Sequence, residues 1–279
     1  MAQLLEKAAS PDVINEAWKR FSRDKAVWQI GLSRNDMMSD IAYHLIKLSN
    51  DLKNGVYVPD TVRFFPVNKG DGRKRIISAL TLRDKVAQRA ALSVLDPIGE
   101  RFFHHNSYGY RSGRTIDMVI SRVREYILCG QTWVVDGDID SYFDNIPHKP
   151  LIKTLKSLIY DRDLVTLIKR WLDVGVPRRG FVSHAKGIPQ GAVLSPFLCN
   201  VYLTIWDNEL SSRNLPFVRF ADDFLIFAKS RKEAEKARIF ALKALSRLGL
   251  TLNTQKTRVA QCGPNITFLG RKLPKLKTA

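Results

Sequence analysis

The chain is predicted to take an α+β fold, and three observations carry that reading. Several stretches repeat apolar residues at helical spacing, as at residues 40–48 and 81–95. Short runs rich in aromatic and β-branched residues stand beside each other across turns, as at 62–67 with 73–77 and within 218–227, which is how antiparallel hairpins read. With 279 residues, 45% of them hydrophobic, the chain can bury a substantial core, as one large domain or two closely packed subdomains.

Taken in order, residues 11–54 read as helical, with Trp18 and Phe21 on the apolar face and Asn54-Gly55 as the stop. A basic hairpin follows: an alternating run at 62–67, a turn at Lys69-Gly70-Asp71-Gly72, and a return strand at 73–77. Thr81 has the character of an N-cap for a helix over 81–95 that Asp96-Pro97 should end. Residues 101–114 read as a loop whose aromatic, glycine and arginine residues suit either stacking and phosphate contact or packing. Helices are expected at 116–128, 148–157 and 161–174, and from Ser195-Pro196 onward, where proline suits the first helical turn. A last helix spans 230–248 with Gly249 as its C-cap, followed by strand-like runs at 250–257 and 266–271.

Composition narrows the function classes. Lys and Arg number 45 against 27 Asp and Glu, a net charge of +18 that suits a polyanionic partner. The segment 229–279 carries thirteen basic residues and two acidic ones, Glu233 and Glu235, so nucleic acid explains the imbalance better than a solvated face does. Cys129, Cys199 and Cys262 are scattered and the five histidines lack zinc-ligand spacing, as free thiols in a reducing compartment would be. With no secretion signal at the start and no apolar run of about 18 residues, a soluble cytoplasmic protein without membrane attachment is expected.

Two acidic stretches point to chemistry. Within 218–227 the pair Asp222-Asp223 sits between apolar runs, where adjacent carboxylates need water or a cation. Within 131–144, Asp136, Asp138 and Asp140 would project to one side of an extended chain. If the two strands are neighbours, Asp138 and Asp222-Asp223 form the carboxylate set that two-metal phosphoryl chemistry uses. Mg²⁺ is the expected ion, since it takes hard oxygen ligands, with Mn²⁺ as a substitute. The loop Gly187-Ile188-Pro189-Gln190-Gly191 lets backbone approach a ligand, which Gln190 can hydrogen-bond.

Several motifs, in order and spacing, resemble those of reverse transcriptases: Asp138-Ile139-Asp140-Ser141-Tyr142-Phe143-Asp144, Gly187 to Gly191 followed by Leu194-Ser195-Pro196, Phe220-Ala221-Asp222-Asp223, Gly249-Leu250-Thr251-Leu252-Asn253 with Lys256-Thr257, and Phe268-Leu269-Gly270. The nearest flavour is the bacterial group II intron lineage, including CRISPR-associated and defence-associated enzymes. The resemblance covers roughly residues 55 to 273. It implies a right-hand polymerase fold, with a helical N-terminal segment at 1–54, fingers with part of the palm at 55–130, and a palm ending in a primer-grip-like element at 131–279. It also implies an RNA-directed DNA polymerase that extends a DNA or RNA primer with dNTPs on an RNA template. Asp138, Asp222 and Asp223 would hold two Mg²⁺ ions with help from the Ile139 carbonyl, and Lys256 would protonate pyrophosphate. Phe143 would exclude a 2′-hydroxyl, Gln190 would line the nucleotide pocket, and Arg75 with Lys69 and Arg73 would hold the triphosphate. Phe268, Leu269 and Gly270 would grip the primer. Asp136 and Asp140 are expected to be supporting or solvated, and Asp144 structural.

Two departures from the family pattern stand out. Phe220 replaces the usual tyrosine of the Asp-Asp motif, a lost hydroxyl that should be tolerable. Nine residues follow Gly270, too few for a helical thumb, so the thumb is expected to be absent or minimal and its role taken by a protein partner or a structured non-coding RNA. The setting implied is antiviral defence or a CRISPR-associated system. Rival readings are an RNA-dependent RNA polymerase, which Phe143 argues against, and an RNA-binding scaffold with a relic palm, which the full set of apparent catalytic residues argues against.

Overall fold

A computed structural model describes residues 4–68, 74–175 and 186–274. The chain opens with α1 (Leu4–Ala8), α2 (Pro11–Lys19), α3 (Arg34–Ser39) and α4 (Ile41–Lys53), then the hairpin β1 (Arg63–Asn68) and β2 (Lys74–Ala79). Next come α5 (Leu82–Phe102), α6 (Ile116–Leu128), β3 (Trp133–Asp138), α7 (Tyr142–Asn145), α8 (His148–Leu158) and α9 (Arg162–Gly175). The remainder is α10 (Ser195–Ser212), β4 (Phe217–Phe220), β5 (Asp223–Ala228), α11 (Arg231–Arg247), β6 (Arg258–Gln261), β7 (Thr267–Phe268) and β8 (Arg271–Lys272). Two compact units interleave along the sequence: Met1–Arg101 with Pro147–Leu198, and Phe102–Ile146 with Cys199–Ala279.

The first unit is mostly helical, with the β1–β2 hairpin pairing Val67 with Arg75 and Asn68 with Lys74. The helical stretch expected over 11–54 is broken between Lys19 and Arg34. Ser33 and Asp40 accept from the backbone N–H groups of Asp36 and Tyr43, starting new helices. Asp24 accepts from Ala26 in the gap, and Gly31 turns with a φ of 83°. The helix at 82–102 also departs from expectation, since it runs through Pro97. Pro97 and Ser93 both face solvent, so the carbonyl that proline leaves unpaired can bond water. Leu92, Val94, Leu95 and Gly99 keep that helix buried on its other side.

In the second unit, four antiparallel strands lie in the order β4-β5-β3-β6. Alternation sends Leu225 and Phe227 into a core with Val134, Val218 and the α6 residues Val119, Val123 and Ile127. Phe224 meets Trp206 of α10 edge-on at 4.9 Å. Helix α11 lays Ala234, Ala237, Ala241 and Ala244 on its buried side, small residues that let the helix approach the sheet closely. The acidic strand expected over 131–144 ends at Asp138, because Ser141, with a φ of 44°, redirects the chain into α7. The loop after α5 packs as an edge, with Ser107 bridged in parallel to Arg219 of β4. An antiparallel sheet carrying helices is the α+β arrangement expected of a right-hand polymerase palm.

Candidate active site

The β4–β5 connection contains only Ala221 and Asp222, so Phe220 and Asp223 close the hairpin as a cross-strand pair. Ala221 has a φ of 58°, a left-handed conformation that a non-glycine residue adopts at a cost of roughly 1 kcal/mol. The hairpin leaves Asp223 as the first residue of β5, and the register of β3 on β5 places Asp138 opposite it. Beyond the ladder, the Ile139 N–H donates to the Asp222 carbonyl at 3.3 Å. Two acidic stretches separated by some eighty residues of sequence therefore meet at one end of two neighbouring strands.

Cations and donors approach from the segment after α11. Ile139 bridges Leu252, the Asn253 N–H donates to the Asp138 carbonyl at 2.8 Å, and Asn253 Nδ2 lies 3.2 Å from Asp138 Oδ2. Lys256 Nζ stands 3.3 Å from the same carboxylate oxygen while its side chain remains largely in solvent. Partial desolvation, then the like charges of Asp222 and Asp138, push the Asp223 carboxyl up to about 6, and Lys256 opposes the rise. Such crowding is relieved by a proton or by a cation.

Among the described residues no three His, Cys, Asp or Glu side chains close into a ready ion cage. That is compatible with Mg²⁺, which usually takes one or two protein carboxylates and completes its shell with water and substrate phosphate. Asp138 and Asp223, opposed across the ladder with Asp223 pushed up by burial and by like charge, fit that donor set.

The remaining residues are placed as follows. Phe143 is half-buried in α7, edge-on to Tyr142 at 5.8 Å and to Tyr110 at 6.5 Å. Tyr142 anchors that turn by donating its hydroxyl to the Cys199 carbonyl at 2.5 Å. Phe268 is in the core of the second unit, and Leu269 and Gly270, with φ of 51° and 76°, form the two-residue turn between β7 and β8. Asp136 pairs with Arg258 at 3.0 Å, whereas Asp144 is exposed. Arg75 and Gln190 belong to the first unit. There the Gln190 carbonyl accepts from Ser78 N–H at 2.7 Å, and Gly191, with a φ of 101°, packs on the Ser78 carbonyl. Lys69 and Arg73 lie outside the described residues.

With this geometry in hand, kinship decides the class. The family model described as "Reverse transcriptase (RNA-dependent DNA polymerase)" matches residues 67–273. The chain belongs to the reverse transcriptase family. Protein YkfC of Escherichia coli strain K12 is 30% identical over 287 residues, covering 87% of this chain and 74% of the relative. The group II intron-encoded protein LtrA of Lactococcus lactis subsp. cremoris is 30% identical over 216 residues, covering 75% of this chain but 35% of LtrA. A solved structure titled as a partial Cas6-RT-Cas1–Cas2 complex superposes with a TM-score of 0.52 at 27% identity, covering 89% of this chain and 42% of the other. This reverse transcriptase chain thus spans about a third of LtrA and under half of the chain in that complex.

Sequence reasoning missed the buried polar residues behind the site. Arg219 and Asp207 are both 0% exposed and ion-paired at 2.6 Å, and Asn200 joins them. A signal existed: an arginine in the apolar strand Phe217-Val218-Arg219-Phe220 needs a buried partner, and Asp207, directly after Ile205-Trp206, is an acidic candidate for it.

Proposed function

We propose that this chain catalyses RNA-directed DNA synthesis, extending a primer with dNTPs at the carboxylates of Asp138, Asp222 and Asp223. The observation that carries the reading is the register of Asp138 opposite Asp223, with Asp222 in the adjoining turn, in a chain of the reverse transcriptase family. Two Mg²⁺ ions, when bound there, would supply activation of the primer 3′-hydroxyl and charge neutralisation at the triphosphate. The Ile139 carbonyl would assist the carboxylates. Lys256, largely exposed and with its amine beside Asp138, would give a proton to the departing pyrophosphate. Phe143 would wall off the sugar's 2′ position, and the edge contact of Tyr110 on its ring supports that wall. Arg75, Lys69 and Arg73 would hold the triphosphate, Gln190 would line the nucleotide pocket, and Phe268 to Gly270 would steady the primer strand. These roles rest on the motif match.

Net charge of +18 supports an RNA template and nucleic-acid primer as the polyanionic partners. A protein partner or structured RNA is proposed to help hold the duplex. Likeness to the reverse transcriptase of a Cas6-RT-Cas1–Cas2 assembly supports a multi-subunit setting in CRISPR-associated or defence function. Primer extension on an RNA template with dNTPs or NTPs, comparing wild type with Asp222→Ala and Asp223→Ala, tests the core claim. Deoxynucleotide incorporation that disappears in both variants is expected. Templated DNA synthesis surviving both substitutions would overturn the site.

A further inference from the structure

The catalytic turn holds an alanine in a left-handed conformation, and something must keep it there. Arg219 occupies the strand position two residues before that alanine. Its guanidinium donates from Nε and Nη2 to both carboxylate oxygens of Asp207, at 2.8 and 2.6 Å. From Nη1 it donates to Asn200 Oδ1 at 3.1 Å and to the Ala221 carbonyl at 3.0 Å. Asn200 in turn donates from Nδ2 to the Gly109 carbonyl at 2.8 Å. Gly109 lies so close to the turn that a methyl group on it would collide with the Ala221 nitrogen. The loop carrying Gly109 is itself bonded to β4, since Arg219 N–H donates to the Asn106 carbonyl at 2.9 Å and Tyr108 N–H to the Arg219 carbonyl at 2.8 Å.

Fold stability alone does not account for this arrangement. A fully sequestered ion pair roughly breaks even against its desolvation, so an apolar pair of similar volume would serve the core as well. What an apolar pair could not do is fix the Ala221 carbonyl with a directed hydrogen bond. The planar guanidinium, locked on one edge by Asp207, aims its remaining nitrogen at Asn200 and the turn.

We propose that Arg219, held by Asp207 and Asn200 and backed by Gly109, is a positioning residue that sets the Ala221-Asp222 turn at the height its carboxylate needs. The Ser107-Tyr108-Gly109 segment, which sequence alone left between phosphate contact and packing, is the back wall of this clamp. The inference rests on the reading of Asp222 as a metal-binding carboxylate of a polymerase. Arg219 does not touch the reacting atoms. It acts through the turn.

The test compares Arg219→Lys, Asn200→Ala and Gly109→Ala with wild type and Asp222→Ala. Arg219→Lys keeps the charge but cannot reach Asp207, Asn200 and Ala221 together. The other two leave the buried ion pair intact and guard against misfolding of the first. Each variant is measured by thermal unfolding, by single-nucleotide primer extension, and by Mn²⁺ titration followed by electron paramagnetic resonance without nucleotide. In folded variants kcat should fall about 10- to 100-fold with KM for dNTP little changed, the signature of a misplaced rather than missing group. Mn²⁺ affinity should weaken in parallel. Folded variants with wild-type kcat and wild-type Mn²⁺ affinity would overturn the positioning role while loss of activity in Asp222→Ala upheld the site. Full activity in Asp222→Ala would overturn both.

Discussion

Two carboxyl groups in this chain are displaced to the same degree, each first by burial, but in different company. Asp84 in the first unit and Asp223 in the second are each raised to about 6. Asp84 is 1% exposed, and burial raises it while its needs are met: it accepts from the Tyr57 hydroxyl at 2.5 Å and from Asp60 N–H at 2.9 Å. Trp171 Nε1 donates to that same tyrosine oxygen at 3.1 Å, closing a satisfied network. Asp223 reaches solvent at a strand end, and after desolvation its displacement comes from Asp222 and Asp138. A perturbed carboxyl is therefore no mark of a site by itself. Like charges crowded where a ligand can enter are the mark, and a buried acceptor with all its donors is a structural part.

The sharpest way to break the comparison is to neutralise one member of the crowded set. Asp138→Asn should lower templated incorporation about 1,000-fold or more, as loss of a group organising transition-state charge does. The same change should alter thermal stability by less than about 1 kcal/mol, because the pair it loses with Lys256 is largely solvated. Primer-extension rates and unfolding midpoints on one preparation check both halves. Asp84→Ala should show the reverse pattern. It strands the Tyr57 hydroxyl and the Asp60 N–H in the interior, at an expected cost on the order of 2–3 kcal/mol by denaturant unfolding. Activity per folded molecule should persist. A stable but inactive Asp84→Ala would erase the distinction between the two sites.

What the sequence revealed follows the same division. The β4–β5 hairpin was legible because its apolar runs are local and its acidic turn interrupts them. The meeting of Asp138 with Asp222-Asp223 could be written only as a condition, that their strands be neighbours, because a period of two fixes which side chains of one strand share a face but not which strands pair. The Arg219–Asp207–Asn200 clamp was not, since its parts are twelve and nineteen residues apart and no pattern says which buried charge meets which. The edge pairing of Ser107 with Arg219 depends on a strand more than a hundred residues away. Pro97 read as a stop because its local cost is plain, whereas the burial of Leu95 and Gly99 that outweighs it is tertiary. The interleaving of the two units was hidden for the same reason, as α10 carries the cut at Leu198 without any linker composition.

A smaller effect sharpens the picture of the second unit. Phe143→Val should relax discrimination against ribonucleotides by about 10- to 100-fold, the range a change in one apolar pocket wall produces. Tyr110→Ala removes the edge contact at 6.5 Å but leaves the Phe143 ring in place, and should relax it less. Competing dNTP and NTP incorporation, read as the ratio of kcat/KM values, measures both. Unchanged exclusion in Phe143→Val would remove Phe143 from the wall.

The last expected effect lies in the first unit and is a small difference between two pH values. Asp84 has a folded pKa of about 6, above its ordinary value of 3.8, so the folded state binds its proton more tightly than the unfolded chain does. Its contribution is therefore most favourable below pH 3.8, declines as pH rises toward 6, and is constant above that, a span of about 3 kcal/mol. The Tyr57 hydroxyl moderates that cost by donating to the ionised carboxylate. Tyr57→Phe removes the donor, so Asp84 should titrate higher still. The loss should be roughly 1.5–3 kcal/mol at pH 7.5, where the acceptor is charged, and about 1 kcal/mol at pH 4.5, where it is mostly protonated. Denaturant unfolding of wild type and Tyr57→Phe at the two pH values measures the difference. A loss equal at both would mean that Tyr57 fills space beside Asp84 without stabilising its charge, and the contrast with Asp223 would then rest on burial alone.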